Sequence, residues 1–277
     1  MSPWSVGRFI LPQTNRVNPA LSAESTEPRQ RWRLVFERDA DAPEALAPGA
    51  AAIETFVARL GAAGIVIARS GNRPRLTLAA PLPLGISGDR ELADLFTASR
   101  QPIAFVRQAI EAALPAGHRL VDLHDAWLGE PALAAQLEAA DYRVEIEPIV
   151  GAATLAQACD ALLEAETLPR ARTKGGRDAT YDLRPLLADV RAVDAGQTTV
   201  LEIRTRFSPE RGAGRPEEVV AAIAEASGTP VIAHRTRRTR LWLASELPTV
   251  PASDRATAKP RRAEGAPGHG LAGGTRT

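Results

Sequence analysis

The chain has 277 residues, a formal net charge of +1 at pH 7, and a composition that is 44% hydrophobic and 24% charged. This balance is typical of a globular protein, so it excludes a chain that is disordered throughout, and the length leaves room for two domains of ordinary size. Because the total charge is close to zero, any attraction to nucleic acid has to come from the placement of the charges.

The two ends of the chain predict no packed structure. Residues 1–29 contain four prolines and no sustained hydrophobic period, which indicates a flexible N-terminal arm. Residues 248–277 are rich in glycine, proline, alanine and basic residues. Such a composition cannot bury enough apolar surface to offset the entropy of ordering, so it predicts a disordered basic tail.

Residues 30–128 predict a first half built from strands and two helices. The segment "RWRLVFE" at 31–37 alternates polar and apolar residues, as a half-buried strand does. Residues 65–68 and 118–127 predict further strands, and a strand near residues 91–96 is only weakly marked. Two stretches show the three- and four-residue spacing of amphipathic helices. Their apolar stripes are Ile53, Phe56, Val57 and Leu60, and Ile103, Val106, Ile110 and Leu114.

The stretch at 69–88, "RSGNRPRLTLAAPLPLGISG", places arginines around a proline. Pro74 holds Arg73 extended, and the two-residue period of a strand puts Arg73 and Arg75 on the face opposite Leu76, about 6.6 Å apart. That separation suits neighbouring phosphates. The prolines of "PLPLG" cannot donate to a sheet, so this segment must leave the sheet or form its edge. Two interpretations stay open: an edge strand whose arginines are solvated, and a basic strip that faces a ligand.

Residues 129–247 repeat the order of elements and predict a second half. "YRVEIE" at 142–147 and "TTVLEIRTRF" at 198–207 alternate as strands. "PRARTKGGRDATYD" at 169–182 predicts a hairpin with two glycines at its turn. "RPEEVVAAIAEASG" at 215–228 predicts a helix with proline at its first position. Another helix is indicated by the stripe Leu155, Cys159, Leu162 and Leu163.

The last strand, "HRTRRTRLWL", is the most basic segment before the tail. Strict alternation puts Arg238 and Arg240 on one face with Trp242, and the other arginines on the face of Leu241. Because both faces cannot be core, either a bulge intervenes or the strand begins near Thr239. Two successive units with the order strand, helix, strand, strand, helix, strand predict an α+β protein of two tandem ferredoxin-like halves with antiparallel sheets.

The clustered cations predict a basic sheet surface that contacts nucleic acid. The alternative is a solvated sheet face whose charge is balanced by acidic helices. The candidate nucleic-acid-binding residues are Arg69, Arg73, Arg75, Arg170, Arg172, Lys174, Arg177, Arg204, Arg206, Arg235, Arg237, Arg238 and Arg240. We expect few exposed aromatic residues for base stacking, so strong sequence-specific readout is not expected.

Signals for catalysis are weak, and we predict no catalytic residue, no metal and no cofactor. The histidines show no metal-ligand spacing, and His118 and His124, six residues apart, are expected on the same face of one strand. Phosphate-binding, dinucleotide-binding and nucleophile-elbow motifs do not occur in the sequence. The single cysteine, Cys159, is expected to be inert core and excludes a disulfide and a four-cysteine zinc site.

The sequence predicts a cytoplasmic protein without a membrane span. No apolar run approaches the roughly 18 residues that a spanning helix needs. The N-terminus also lacks the charged-then-apolar pattern of a secretory signal.

Several segments together resemble the radical SAM-associated (radical SAM-linked) family, a bacterial domain family of unknown function. The resemblance runs from about Arg31 to Leu243. It rests on "RPRLTLAAPLPLGISG", "ALAAQLEAADYRVEI", "KGGRDATYDLRPLL", "RPEEVVAAI" and "PVIAHRTRRTRLWL". The resemblance implies a partner, a radical SAM protein that is encoded separately. A radical SAM cluster needs three cysteines in a C-x3-C-x2-C loop, so this chain is not itself a radical SAM enzyme.

Three functions follow from these observations. The first is a non-catalytic accessory protein that acts with a separate radical SAM protein. The alternative is an RNA-binding module that uses its basic sheet faces to bind tRNA or rRNA. The third is a nuclease-like enzyme that uses His118, His124 or His234, which would require a histidine beside a carboxylate or lysine in a cleft.

Overall fold

The computed structural model describes residues 26–44, 46–47, 50–147, 150–174, 177–196 and 198–247, with the backbone alone for 172–174 and 177–179. The predicted tail at 248–277 and all but the last four residues of the predicted arm at 1–29 lie outside these residues. Within the described ranges, no helix combines the length and the apolar composition that crossing a membrane requires.

The first half contains both predicted helices and all but one of the predicted strands. Its elements are β1 (Gln30–Arg38), α1 (Ala51–Ala62), β2 (Arg69–Ser70), β3 (Arg73–Pro74), β4 (Leu76–Leu78), β5 (Ser87–Thr97), α2 (Ile103–Ala113) and β6 (His118–Ala126). The weakly marked strand is the long β5. Its residues are buried on both faces, so it lacks the polar–apolar alternation that reveals a half-buried strand. The strand predicted at 65–68 is absent from the described structure, where only Ile67 forms a bridge, to Thr97.

The second half contains the predicted helices, hairpin and strands in the predicted order, and also two strands that were not predicted, at Leu187–Asp194 and Gly212–Ala213. Its elements are β7 (Leu137–Ile146), α3 (Ala152–Glu164), β8 (Pro169–Lys174), β9 (Arg177–Asp182), β10 (Leu187–Asp194), β11 (Thr199–Ser208), β12 (Gly212–Ala213), α4 (Pro216–Ser227) and β13 (Ala233–Leu243). Short 3₁₀ helices lie at Leu133–Gln136 and Arg184–Leu186. The predicted hairpin is confirmed, because β8 and β9 pair antiparallel up to Lys174 and Arg177.

One large sheet runs through both halves in the order β10-β11-β7-β13-β5-β1-β6, with β4 added to β5 and β12 added to β11. Its pairs are antiparallel except for β13 with β5, which pair in parallel at Arg237–Ser87 and Arg238–Gly88. Within each half the strands lie in the order second, third, first, fourth: β4-β5-β1-β6, then β10-β11-β7-β13. The described chain is therefore a mixed α+β fold with a large, mostly antiparallel sheet and four helices.

Two hydrophobic cores lie between the sheet and the helices. In the first half, Trp32 and Leu34 of β1 pack with α1 and α2. In the second half, the inward residues of β7 and β11 pack with α3 and α4. Val35 and Leu92 face away from the first-half helices and join the second-half core, together with Leu241. Part of the second half therefore covers the outer face of the first.

The "PLPLG" segment leaves the sheet, as its prolines predict, and a buried arginine anchors it. Arg38 donates hydrogen bonds to the carbonyl oxygens of Leu82 (3.0 Å), Pro83 (2.5 Å) and Ile86 (2.8 Å). These bonds satisfy carbonyls that have no strand partner. Gly85 turns the chain with a φ of +77°, which favours glycine.

A second buried arginine joins the two halves. Arg238 of β13 donates from Nε to Glu91 Oε1 at 2.8 Å and also binds Glu91 Oε2 through Nη2. Its Nη2 further donates to the carbonyl of Ala80 at 3.0 Å. Burial alone would lower the pKa of Arg238, but the hydrogen bond and charge of Glu91 outweigh it and raise the pKa. Arg238 is therefore a buried ionic contact between the halves.

Candidate nucleic-acid interface

The strands of the second half turn one set of side chains away from α3 and α4, and we call this surface the open face. Register and burial assign its members. Its cations are Arg143, Arg191, Arg204, Arg206, Arg235, Arg237 and Arg240. Its carboxylates are Asp141, Glu145, Asp189 and Glu202, and its aromatic residue is Trp242. Cations therefore outnumber carboxylates on these strands.

A bulge in β13 decides which of its arginines reach the open face. The pairing with β7 shifts between Arg238 and Arg240, so Thr239 is the extra residue. Arg238 is only 2% exposed on the helix-facing side, whereas Arg240 and Trp242 lie on the open face. Of the two alternatives left open, a bulge or a strand that begins near Thr239, the structure shows the bulge, because β13 already begins at Ala233. Arg238, however, offers no cation to a ligand in solvent, because Glu91 and backbone carbonyls occupy its guanidinium.

Asp141 is the centre of the open face. Arg204 donates to its two oxygens, from Nε to Oδ1 at 2.6 Å and from Nη2 to Oδ2 at 2.8 Å. The indole N–H of Trp242 donates to Oδ2 at 2.8 Å. The hydrogen bond to Asp141 raises the pKa of Arg204. One carboxylate therefore fixes both a guanidinium and an indole ring.

Two guanidinium groups lie against the ring of Trp242. The guanidinium carbon of Arg240 is 3.7 Å from the ring centroid and that of Arg204 is 4.9 Å away. Both separations fall within the range of cation–π attraction. Each of these guanidinium groups also has a carboxylate partner, Asp141 for Arg204 and Glu246 for Arg240 at 3.3 Å.

The remaining open-face cations differ in how far they are neutralised. Glu202 accepts from Arg191 at 2.8 and 2.5 Å and lies 3.9 Å from Arg143. Arg206 and Arg235 are exposed, and neither has an ion-pair partner among the described residues. Asp141, Glu202 and their neighbours line a shallow depression of about 410 Å³. Three arginines and three carboxylates line this depression, so the excess positive charge of the open face lies outside it.

The first-half candidates lie on the short strands β2 to β4 and not on the open face. Arg73 and Arg75 are exposed and Leu76 packs against the first-half core, as the alternation predicts. The guanidinium of Arg75 lies 5.1 Å from the ring centroid of Phe96. Arg69 contacts Glu54 at 3.4 Å. These cations form a separate strip.

The hairpin candidates lie apart from the large sheet. Arg170 pairs with both oxygens of Glu225 in α4 at 2.7 Å, and its side chain is mostly buried. Arg172, Lys174 and Arg177 lie on the hairpin backbone, but their side chains lie outside the described part of the structure. The hairpin is thus associated with the helices.

The histidines do not converge. The expectation that His118 and His124 share a face is wrong, because a bulge at Val121 shifts the pairing of β6 with β1. His118 stacks on Phe36 on the helix-facing side, with ring centroids 5.9 Å apart, and His124 is exposed on the other side. Among the described residues, no three histidine, cysteine, aspartate or glutamate side chains are grouped so that they could hold a metal ion.

Cys159 is buried in the second-half core, as the sequence predicts. Burial raises the pKa of Cys159 to about 11, which makes its reactive thiolate form scarce at neutral pH. Sequence reasoning missed Asp141, although Asp141 and Arg143 alternate with the apolar residues of β7 and thereby mark its polar face. The expectation of few exposed aromatic residues agrees with the described part of the chain, where Phe105 and Trp127 are the exposed ones and Trp127 is 72% exposed.

Comparisons with known proteins bear on the family and not on the activity. A solved structure titled "Crystal Structure of a Cbf5-Nop10-Gar1 Complex" is similar with 11% identity and a TM-score of 0.43, over 76% of this chain and 48% of that chain. This chain thus spans about half the length of that protein. An unknown protein from Galdieria sulphuraria is similar with 14% identity and a TM-score of 0.24, over 74% of this chain and 96% of that chain.

A search of curated proteins gave no match. The association with a radical SAM protein stays a prediction from the sequence resemblance. A family model described as "Uncharacterized protein conserved in bacteria (DUF2344)" matches residues 71–216, which is more than half of the chain. The chain therefore belongs to this family of uncharacterized bacterial proteins.

Proposed function

We propose that this protein is a non-catalytic RNA-binding module of the cytoplasm that contacts RNA through the open face of its second half. The observation that carries the proposal is the helix-free sheet surface on which arginines outnumber carboxylates and two guanidinium groups lie on Trp242. A sheet holds such groups at fixed spacings, so little conformational entropy is lost when a polyanion binds.

The ion pairs of the open face are compatible with this role. Exposed ion pairs contribute at most about 1 kcal/mol each, so a phosphate can replace a carboxylate at small cost. Arg206 and Arg235 need no exchange, because no carboxylate among the described residues pairs with them. Binding would thus rest on phosphate contacts and would weaken steeply with salt.

We also propose that residues 30–128 and 129–247 are two tandem ferredoxin-like units. The strand order second, third, first, fourth in each half supports this division, as do the two hydrophobic cores. The first-half strip at Arg73 and Arg75 would then be a second, separate place for phosphate contacts.

A binding measurement tests the RNA proposal. The double variant Arg206→Ala/Arg235→Ala removes two open-face cations that have no described partner. The matched control Arg59→Ala/Arg107→Ala removes the same charge from helices α1 and α2 of the first half, away from the open-face strands. Affinity for tRNA and for an rRNA fragment would be measured by fluorescence anisotropy over a salt series.

The open-face variant is expected to weaken binding of both RNAs and to lower the slope of log affinity against log salt by roughly 2, about one for each lost phosphate contact. The helix variant is expected to behave like the unmodified chain. Undetectable binding at low salt, or equal losses in both variants, would contradict the proposal.

A second candidate is an accessory protein for a separately encoded radical SAM protein. The quoted sequence segments support it, and Leu84 in the "PLPLG" segment, 82% exposed, offers an apolar contact within one of them. Co-purification of the two chains, with and without ribonuclease treatment, tests this candidate. The variant Leu84→Ser is expected to reduce association, and two chains that never co-purify would rule the candidate out.

A further inference from the structure

Trp127 is a large apolar side chain that the fold leaves in solvent. It follows β6, in the connection between the two halves, and is 72% exposed. A tryptophan offers more apolar surface than almost any other residue, and tryptophan is enriched among the residues that contribute most to binding at interfaces. The described structure gives it no partner for its outer surface.

Gly129 lies under one face of the indole. A methyl group at this glycine would come within 2.5 Å of Cζ2, 2.6 Å of Cη2 and 2.9 Å of Cε2 of Trp127. If the methyl carbon approached the edge of the ring at Cζ2, the two atoms bonded to Cζ2 would be much farther from it than Cζ2 is. The three similar distances show that it approaches the face of the ring. Gly129 therefore packs against one face of the six-membered ring, and the opposite face of the Trp127 ring is the one that is exposed to solvent.

The loop that carries Trp127 is anchored by buried charges. Arg31 donates to the carbonyl oxygens of Trp127 (3.4 Å), Glu130 (2.8 Å) and Pro131 (2.9 Å), and Asp94 holds the same guanidinium. The carboxylate of Glu130 accepts from the Trp127 backbone N–H at 3.3 Å. The indole is thus presented by a fixed loop, which lowers the entropy cost of binding on it.

Two free cations flank the indole. Arg29 and Arg100 line the same depression of about 490 Å³ together with Trp127 and Leu128. Both arginines are exposed, and no carboxylate within the described ranges pairs with either. Asp125 also lines the depression, where it accepts a hydrogen bond from Gln30 at 2.8 Å.

We propose that Trp127 stacks on an unpaired base of single-stranded RNA while Arg29 and Arg100 bind the adjacent phosphates. The proposal rests on the RNA-binding function above but uses a separate surface. One open aromatic face flanked by cations matches base stacking plus phosphate contact. A protein partner would need a larger apolar surface, and besides Trp127 the apolar residues that line this depression are Ala126 and Leu128.

Binding of a single-stranded RNA of about ten nucleotides, a duplex of the same sequence, and adenosine monophosphate tests the proposal. The variants are Trp127→Ala, Trp127→Phe, which keeps a ring, and Gly129→Ala, which displaces the indole without changing a charge. Phe105→Ala removes another exposed aromatic residue and is the matched control. Affinity and the quenching of tryptophan fluorescence would both be recorded.

Trp127→Ala is expected to weaken single-strand binding roughly 5- to 150-fold, the range for loss of one stacked base, and to change duplex binding little. Gly129→Ala is expected to weaken it as well. Trp127→Phe is expected to keep most of the affinity and to lose the part of the quenching that comes from Trp127, since Trp242 remains. Phe105→Ala is expected to change neither.

The outcomes separate this proposal from the function it rests on. If Trp127→Ala leaves single-strand affinity unchanged while the open-face variant loses affinity, the stacking proposal alone fails. If only Trp127→Ala loses affinity, the open-face proposal fails. Binding of adenosine monophosphate as tight as that of the strand, no RNA binding at all, or self-association that Trp127→Ala abolishes would each overturn the stacking proposal.

Discussion

The outer faces of the two halves use the same chemistry to different ends. In the first half, Arg31 and Arg33 hold Asp94, which is 0% exposed. In the second half, Arg204 holds Asp141 in a depression that is open to solvent. Both are arginine–aspartate pairs between neighbouring strands, so the residue types alone do not decide the role. What decides it is whether another segment covers the pair.

The connection between the halves covers Asp94 and its partners Arg31 and Arg33. Because these groups are buried, water cannot replace their hydrogen bonds. Removal of one partner from a buried ion pair leaves a charge without compensation, whereas an exposed partner is replaced by water. The first-half face is therefore structural, and the second-half face remains available for a ligand. The following predictions test that difference, from the largest expected effect to the smallest.

Asp94→Ala is expected to destabilise the protein most. It leaves Arg31 and Arg33 buried without their shared carboxylate, which costs about 3–5 kcal/mol of unfolding free energy. Urea unfolding followed by circular dichroism measures the loss. A cost as small as that of an exposed pair would show that the covered face is not held by this contact.

Glu91→Gln removes the charge that compensates Arg238 at the joint of the halves. We expect a loss of about 2–4 kcal/mol in the free energy of unfolding, because a neutral amide replaces only part of a buried charged hydrogen bond. The apolar pair Glu91→Leu/Arg238→Met is the control, since it removes both charges together. The interpretation fails if the double variant is less stable than the single one.

Asp141→Asn tests the open face and is expected to change the free energy of unfolding by about 1 kcal/mol or less. The amide still accepts from Trp242, and Arg204 becomes free for a phosphate. RNA affinity, measured by anisotropy, is therefore expected to rise several-fold. A fall in affinity would indicate that Asp141 positions the arginine for the RNA.

His118 gives the smallest effect and a pH dependence. Burial lowers its pKa below the ordinary value of about 6.5. As the pH falls, the unfolded chain therefore binds a proton at His118 before the folded chain does. The contribution of His118 to the free energy of unfolding is complete above the unfolded pKa, and it is lost as the pH drops from the unfolded pKa toward the folded pKa.

Melting temperatures measured from about pH 8 to about pH 5 test this prediction. His118→Gln is expected to flatten the dependence. His124→Gln, on the exposed side of the same strand, is expected to leave it unchanged. Equal flattening in both variants would show that burial of His118 is not the cause.

Local patterns predicted most of the elements, because alternation and helical stripes record which residues meet a core. The stripe of α1 and the alternation of β7 are examples: Phe56, Leu60, Tyr142 and Val144 are all buried. The pattern failed for β5, whose two faces are both covered. Coverage of the second face depends on segments that are distant in sequence, so no local pattern records it.

The candidate site was predicted only in part, for the same reason. Nothing in the segment "HRTRRTR" distinguishes Arg238 from the arginines beside it. Arg238 is nevertheless buried, because it pairs with Glu91, which is 147 residues away in sequence. The bulge at Val121 separates His118 from His124 through the pairing of β1 with β6. Partners across the sheet, and not the residues themselves, set these outcomes.

The contact between Glu91 and Arg238 has a consequence for how the chain melts. Parallel pairing joins the halves at Arg237–Ser87 and Arg238–Gly88, and the ionic contact adds to the apolar contacts of Val35 and Leu92 with the second-half core. If one half unfolded alone, the other half would keep either Glu91 or Arg238 without its ion-pair partner. We therefore expect both halves to unfold cooperatively, as a single calorimetric transition.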